Sequence, residues 1–151
     1  MKHILFLDFD GVLVFSINSA GTKHPSVSLL EKFLFDNPHV FVVFSTDWRN
    51  SQTLDELKMH FSYKLQDRFI GVTPNSANTL FKREHEILNY MKYNAPEAAF
   101  VALDDRRDLF SPQCNFLVLV KHVQCNHLLQ EDLQKVTLMF EQQKNKINHS
   151  Y

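Results

Sequence analysis

The chain has only two cysteines, Cys114 and Cys125, in 151 residues. That is too few for a disulfide framework, and their spacing is not that of a metal knuckle, so both read as small packing groups in a reducing, cytoplasmic compartment. The eight histidines show no metal-ligand spacing either. No excess of basic charge is present: 16 Lys and Arg stand against 17 Asp and Glu, for a net charge of -1. Phosphate neutralisation alone therefore gives little affinity for nucleic acid. No apolar run exceeds strand length, so no segment is expected to span a membrane. Internal repeats, low-complexity tracts and linkers are also lacking. The opening residues read as a core strand and not as a leader.

What is present is an apolar composition of 44%, with 14 phenylalanines, enough for a full, aromatic-rich core. The length fits one domain over 1–151, with a polar tail from about Lys144 that is expected to fray.

The chain is organised around His3-Ile4-Leu5-Phe6-Leu7-Asp8-Phe9-Asp10-Gly11-Val12-Leu13. An apolar run bounded by a turn signal reads as a buried parallel strand. It ends in two carboxylates one residue apart. Gly11 permits a sharp turn that brings Asp10 back over Asp8. Two carboxylates about 4 Å apart repel by roughly 1 kcal/mol in water and several times more near a protein surface. A hard cation such as Mg2+ would neutralise them. On this motif alone, an exposed acidic turn is the stronger reading.

Downstream, Val14 to His24 is polar and reads as a loop or small hairpin. Ser28-x-x-Glu31 has capping-box form, and a helix is expected over Ser26 to Phe35, stopped by Asn37-Pro38. Val40-Phe41-Val42-Val43-Phe44 is a second buried strand running into Ser45-Thr46-Asp47-Trp48-Arg49. Ser51 or Thr53 caps a second helix with Leu54, Leu57, Met59 and Phe61 as its apolar residues. A third short strand falls in Arg68 to Pro74, and a third helix over Thr79 to Tyr93, with Leu80, Ile87, Leu88 and Met91 apolar. Ala99 to Leu103 is a fourth strand, followed by Asp104-Asp105-Arg106-Arg107-Asp108. Phe116 to Val120 is a fifth, and an amphipathic helix spans about Leu128 to Gln142.

Strands alternating with helices give right-handed crossovers and an α/β fold, with a mostly parallel sheet covered on both faces. In such a sheet all strand carboxyl ends share one edge, where ligands bind. Asp8 and Asp10, Ser45 and Thr46, and Asp104 and Asp105 should therefore converge. Trp48 reads as a packing residue at a helix entry. Arg49 either grips a phosphate or pairs with Asp47 or another acid. His122, His127, Arg106 and Arg107 read as surface residues.

This ordered set resembles the haloacid dehalogenase-like (HAD) superfamily over nearly the whole chain. Asp8-Phe9-Asp10-Gly11-Val12-Leu13 matches its first motif, Ser45 its second, and Asp104-Asp105 its fourth, with Asp108 a further candidate acid. Lys82 and Arg83 both qualify for the third, and Arg83 is preferred for the subgroup pattern that follows it. Arg83-x-x-Glu86-Ile87, Ser45-Thr46-Asp47-Trp48-Arg49 and Leu103-Asp104-Asp105 resemble the HAD domain of Swiss Army Knife RNA repair proteins. The resemblance implies a three-layer, Rossmann-like fold with a five-stranded sheet in the order 5-4-1-2-3. The connections are too short for a large cap domain.

The resemblance further implies a Mg2+-dependent phosphohydrolase working through an aspartyl-phosphate on a phosphomonoester. Asp8 is then the nucleophile and Asp10 the general acid and base. Ser45 and Arg83, or Lys82, stabilise the transferred group. Asp8, the Asp10 backbone carbonyl, and Asp104 or Asp105 hold the metal. Thr46, Arg49 and Gly11 are the candidate substrate-binding residues. An open site suits a phosphate on a large molecule such as a nucleic-acid end, although a phosphorylated small molecule is also compatible. The alternative is a non-catalytic or regulatory module that keeps the acidic pocket.

Overall fold

The first apolar run becomes the central strand of a fully parallel sheet. The structure is a computed structural model that describes residues 1–77 and 79–149. Strand β1 (His3–Leu7) pairs with β2 (Val40–Phe44) on one side and β4 (Ala99–Asp104) on the other. Strands β3 (Phe69–Val72) and β5 (Leu117–Leu119) complete the order β3-β2-β1-β4-β5, the expected one. Crossovers are made by α1 (Pro25–Asp36), a short α2 (Leu54–Lys58), and α3 (Lys82–Asn94), and the chain closes on α4 (Gln130–Asn148).

Alternation along β1 sends Leu5 and Leu7 to one face and Ile4 and Phe6 to the other. Leu5 and Leu7 pack with Val42, Phe44, Val101 and Leu103 under α1 and α4, through Leu30, Leu34, Val136 and Phe140. Ile4 and Phe6 pack with Val43 and Ala102 under Ile87 and Met91 of α3, beside Phe110 and Phe116. These are the three layers expected. Full burial of each large apolar side chain contributes about 1.5–3 kcal/mol. A one-residue slip would exchange the two faces, so this packing also fixes register. The shared register brings Leu7, Phe44 and Leu103 level at the carboxyl edge.

Helix boundaries depart from the sequence reading in four places. Ser28 lies inside α1 and closes no capping box. The N-cap is His24, whose Nδ1 accepts from the Ser26 N–H at 3.2 Å. Glu31 is instead buried, held by Lys23 at 2.8 Å and the Ser62 N–H at 2.6 Å. Thr53 does cap α2, but the helix ends at Lys58 and leaves Met59 exposed. Beyond it Phe61 stacks on Phe44 and Phe69, with centroids 6.0 and 4.5 Å away, so aromatic packing draws the chain out of the helix. Helix α3 starts at Lys82, not Thr79, because Phe81 is left-handed with φ 57°. Leu80 and Leu88 are exposed, and the buried face is Arg83, Glu86, Ile87 and Met91. The tail from Lys144 stays helical through Asn148, and Ser150 and Tyr151 lie outside the described residues.

The stretch from Val14 to His24 holds one antiparallel bridge, Ile17 to Lys23, the small hairpin expected. Among the described residues no helix is long and apolar enough to cross a membrane.

Candidate active site

Asp8 leaves β1 at the carboxyl edge, still anchored to the neighbouring strand by its N–H on the Leu103 carbonyl at 3.1 Å. The chain then folds back on itself. The N–H groups of Val12 and Leu13 both donate to the Phe9 carbonyl, at 3.0 and 2.8 Å. Gly11 sits at φ 76°, in the left-handed region that a side chain disfavours. It also makes room, since a β-carbon there would fall 2.1 Å from Oδ2 of Asp105. The turn thus serves two ends: it reverses the chain and admits the carboxylate of Asp105 from the end of β4.

The result is a cluster in which carboxylate oxygens of Asp8, Asp104 and Asp105 all lie within 4.8 Å of one another. Asp8 and Asp104 are buried, and Asp105 is half-buried. Among the described residues, Arg83 is the cation ion-paired to the cluster, through Asp104 and Asp8. Arg83 Nη1 donates to Asp104 Oδ2 at 2.8 Å and lies 3.2 Å from Asp8 Oδ2, while Nη2 donates to Asp47 Oδ1 at 3.3 Å. Two backbone donors add to this: Phe9 N–H to Asp8 Oδ1 and Arg106 N–H to Asp104 Oδ1, both at 2.9 Å.

The electrostatic balance is unfavourable for three negative charges. Burial, then repulsion from Asp104, push the Asp8 carboxyl up to about 8, although Arg83 opposes the shift. Burial likewise raises Asp104 above the ordinary carboxylate range, against the pull of Arg83. For Arg83 burial works against the charge, but Asp104 and Asp8 outweigh it and hold the guanidinium more firmly protonated than usual. One guanidinium therefore does not neutralise this cluster. Oxygen-only donors around a charge deficit fit a hard divalent cation such as Mg2+.

The other strand ends complete the edge. Ser45 follows β2, fixed by its N–H on the Leu7 carbonyl at 2.8 Å. Its hydroxyl is buried and has no hydrogen-bond partner among the described residues. A buried polar atom without a partner costs free energy unless a ligand supplies one.

Asp10 turns its side chain away from the three-acid cluster. Its Oδ2 accepts from Trp48 Nε1 at 3.0 Å, and Asp10 itself is exposed. Trp48 packs edge-on against Phe9 at 5.1 Å, so it is a packing residue as expected, but also a tether for Asp10. The remaining candidates are otherwise engaged. Thr46 Oγ1 caps the 3-10 turn Asp47–Asn50, accepting from the Trp48 N–H at 3.4 Å. Arg49 is buried and bonds Glu86 at 2.7 Å, Asn75 at 2.8 Å and the Thr46 carbonyl at 2.8 Å, with Nε unpartnered among the described residues. It pairs with Glu86 and not with Asp47. Lys82 points away from the acids, 3.8 Å from Glu86, so Arg83 and not Lys82 meets the cluster. Asp108 is exposed and doubly bonded to Arg106 at 2.9 and 2.8 Å, outside the cluster.

The model of the HAD domain in Swiss Army Knife RNA repair proteins matches residues 4–129. The chain belongs to this family. A sequence search against curated proteins found no match. In this HAD domain, the matched region contains each of the strand ends just described and the whole of α3.

Three polar residues carry a site role that the sequence reading did not give them. Asp47 meets Arg83. Thr73 follows β3, with its N–H on the Phe44 carbonyl at 3.0 Å and its buried hydroxyl unpartnered among the described residues. The rule that picked out Ser45, a hydroxyl after a buried strand, picks out Thr73 as well. Glu86 is the buried hub that receives Arg49, Lys82 and the Ser76 N–H. His122, read as a surface residue, is instead enclosed between Asp132 at 2.7 Å and Glu131 at 3.2 Å, where it joins the β5 loop to the start of α4.

Proposed function

We propose that this HAD domain is a divalent-metal-dependent phosphohydrolase that passes the phosphoryl group through Asp8. The observation that carries the reading is the cluster of Asp8, Asp104 and Asp105 within 4.8 Å, under-neutralised by Arg83 and flanked by the unpartnered Ser45 hydroxyl.

The chemistry follows from those positions. An Asp8 carboxylate oxygen attacks phosphorus in line and the bond to the leaving oxygen breaks. Asp10, at the mouth of the site and steered by Trp48, gives that oxygen its proton. Water then attacks the aspartyl-phosphate, Asp10 takes the proton back, and inorganic phosphate leaves. Ser45 donates its hydroxyl proton to a non-bridging oxygen, which satisfies a group otherwise left buried and unpaired. Arg83 offsets charge on the transferred group from the α3 side. Mg2+ bound through Asp8, Asp104 and Asp105, with the Asp10 carbonyl, would neutralise both the nucleophile and the phosphoryl oxygens. The protein's share is positioning and electrostatics.

Among the described residues no cap domain covers the edge, which suits the phosphate of a large molecule. An RNA end is the substrate we favour, consistent with the RNA-repair setting of the family.

The test is phosphate release from a generic aryl phosphate, with Mg2+ and with chelator, by wild type and Asp8→Asn. Release that requires Mg2+ and falls to background in the variant is expected. Equal release by both proteins would remove Asp8 as nucleophile. No release by either would favour the non-catalytic module.

A further inference from the structure

A second polar cavity adjoins the site on the far side of Arg83. It measures about 190 Å3 and is lined by Asp47, Lys82, Arg83, Glu86, Arg106 and Leu109. Three of its walls are cationic, two are acidic and one is apolar.

The three cations are not equally committed. Arg83 spends its charge inward on Asp104 and Asp8. Lys82 has only a long contact, 3.8 Å, to a Glu86 oxygen, and the other oxygen of Glu86 is held by Arg49 at 2.7 Å. Arg106 holds Asp108 on the surface, where the side chains are 56% and 65% exposed. Exposed pairs of this kind are worth little. A phosphate oxyanion can take over either cation at small cost, and a guanidinium recognises phosphate oxygens two at a time. The start of α3 adds to this field, since Lys82 opens the helix and Phe81 supplies no side-chain cap. Asp47 is the one exposed acid on the wall, and its charge is paired to Arg83 at 3.3 Å. Arg106 lends its backbone N–H to Asp104, but among the described residues the side chains of Lys82 and Arg106 make no hydrogen bond or ion pair with the three-acid cluster or the Ser45 hydroxyl.

Resting on the phosphohydrolase reading above, we infer that this cavity is a subsite for a second phosphate of the substrate, held by Lys82 and Arg106 while the first lies on Asp8. The substrate class is thus a molecule with two phosphates on neighbouring positions, one on either side of Arg83. It is either a strand end, whose next phosphodiester enters the cavity, or a free bisphosphate.

Binding tests this without turnover. Asp8→Asn protein with Mg2+ is titrated calorimetrically with a nucleoside 5′-monophosphate, the matching 3′,5′-bisphosphate, and dinucleotides phosphorylated at the 5′ or the 3′ end. A charge-assisted contact of this kind is worth about tenfold in affinity. A bisphosphate or a phosphorylated dinucleotide should therefore bind about tenfold more tightly than the monophosphate. Adding Arg106→Ala, or Lys82→Ala, should collapse that ratio toward one. A dinucleotide advantage identifies the strand as the source, and one confined to the bisphosphate identifies the free molecule. Equal affinities throughout, or an advantage that survives both substitutions, overturns the subsite. Arg106→Gln, at an exposed position, guards against a folding artefact. Absence of phosphate release by wild type would defeat the proposed hydrolysis and leave this comparison standing.

Discussion

Gly11 and Asp105 are packed so closely that a β-carbon on residue 11 would fall 2.1 Å from a carboxylate oxygen of Asp105. The turn of one strand end is thereby moulded around the acid of another. Gly11→Ala has two costs. The left-handed backbone, at φ 76°, costs about 1–2 kcal/mol for a residue with a side chain. The methyl group also drives Asp105 out of the cluster. The expected outcome is a fall in Tm on the order of 5 °C, together with a smaller rise in Tm on adding Mg2+. Thermal melting with and without the ion measures both. An unchanged Mg2+ response would show that Asp105 is not needed to hold the cation.

The acid cluster makes stability depend on pH with a definite sign. The Asp8 carboxyl lies at about 8 in the fold, raised first by burial and then by Asp104, so the folded chain holds its proton more tightly than the unfolded chain does. Below about pH 4 both states are protonated and Asp8 contributes no dependence. As pH rises from there through about 8, only the unfolded chain ionises freely, and the stability of the ion-free protein falls. Asp104, raised in the same direction, adds to the fall. A divalent cation binds the ionised form and competes with the proton. Denaturation midpoints in chelator should therefore drop between pH 5 and pH 8 by an amount on the order of 1 kcal/mol or more, with Mg2+ restoring most at pH 8. A midpoint that rises with pH in chelator would contradict a buried, under-neutralised Asp8.

These features were unequally legible in the chain. Buried parallel strands are unbroken apolar runs, so β2 was readable to the residue, and the acids and Ser45 were readable as strand ends. Arg83 was legible too, preferred over Lys82 on the Arg83-x-x-Glu86-Ile87 pattern, and the fold shows why. Residues 83, 87 and 91 recur at helical spacing, and the docking of Ile87 and Met91 on the sheet decides which neighbour of the Lys82–Arg83 pair faces the acids. The start of α3 was not legible, because nothing in the local pattern announces a left-handed Phe81. Nor were the partners of Trp48 and Arg49. Asp10 and Glu86 are 38 and 37 residues away, and only tertiary packing brings them together.

The bond from Trp48 to Asp10 bears on the proton transfer. Trp48 Nε1 donates to Oδ2 at 3.0 Å, which orients Asp10, the proposed general acid. Trp48→Phe keeps a ring against Phe9 and removes only that donor. A positioned general acid contributes about 10²–10⁴-fold, so loosening it should lower kcat about tenfold for an alkyl phosphate, whose leaving oxygen needs the proton. An aryl phosphate, with a better leaving group, should lose much less. Equal losses on both substrates would make Trp48 a packing residue alone.

Arg49 and Glu86 form a buried pair, 2.7 Å apart, with side chains 3% and 2% exposed. Removing one partner of such a pair leaves a desolvated charge and costs about 3–5 kcal/mol. Glu86→Ala should destabilise the fold by that amount in urea denaturation, since Arg49 then keeps only Asn75 and the Thr46 carbonyl. Glu86 also receives the Ser76 N–H at 3.3 Å, so the loop after β3 loosens in the same variant. Glu86→Gln keeps one acceptor oxygen, enough for Arg49 or the Ser76 N–H but not both, and should lose less than Glu86→Ala. Replacing both charges, Arg49→Met with Glu86→Leu, should recover most of the stability, because no charge is then stranded. If the double variant is as unstable as Glu86→Ala, the pair's value lies in its hydrogen bonds to the loops and not in mutual neutralisation.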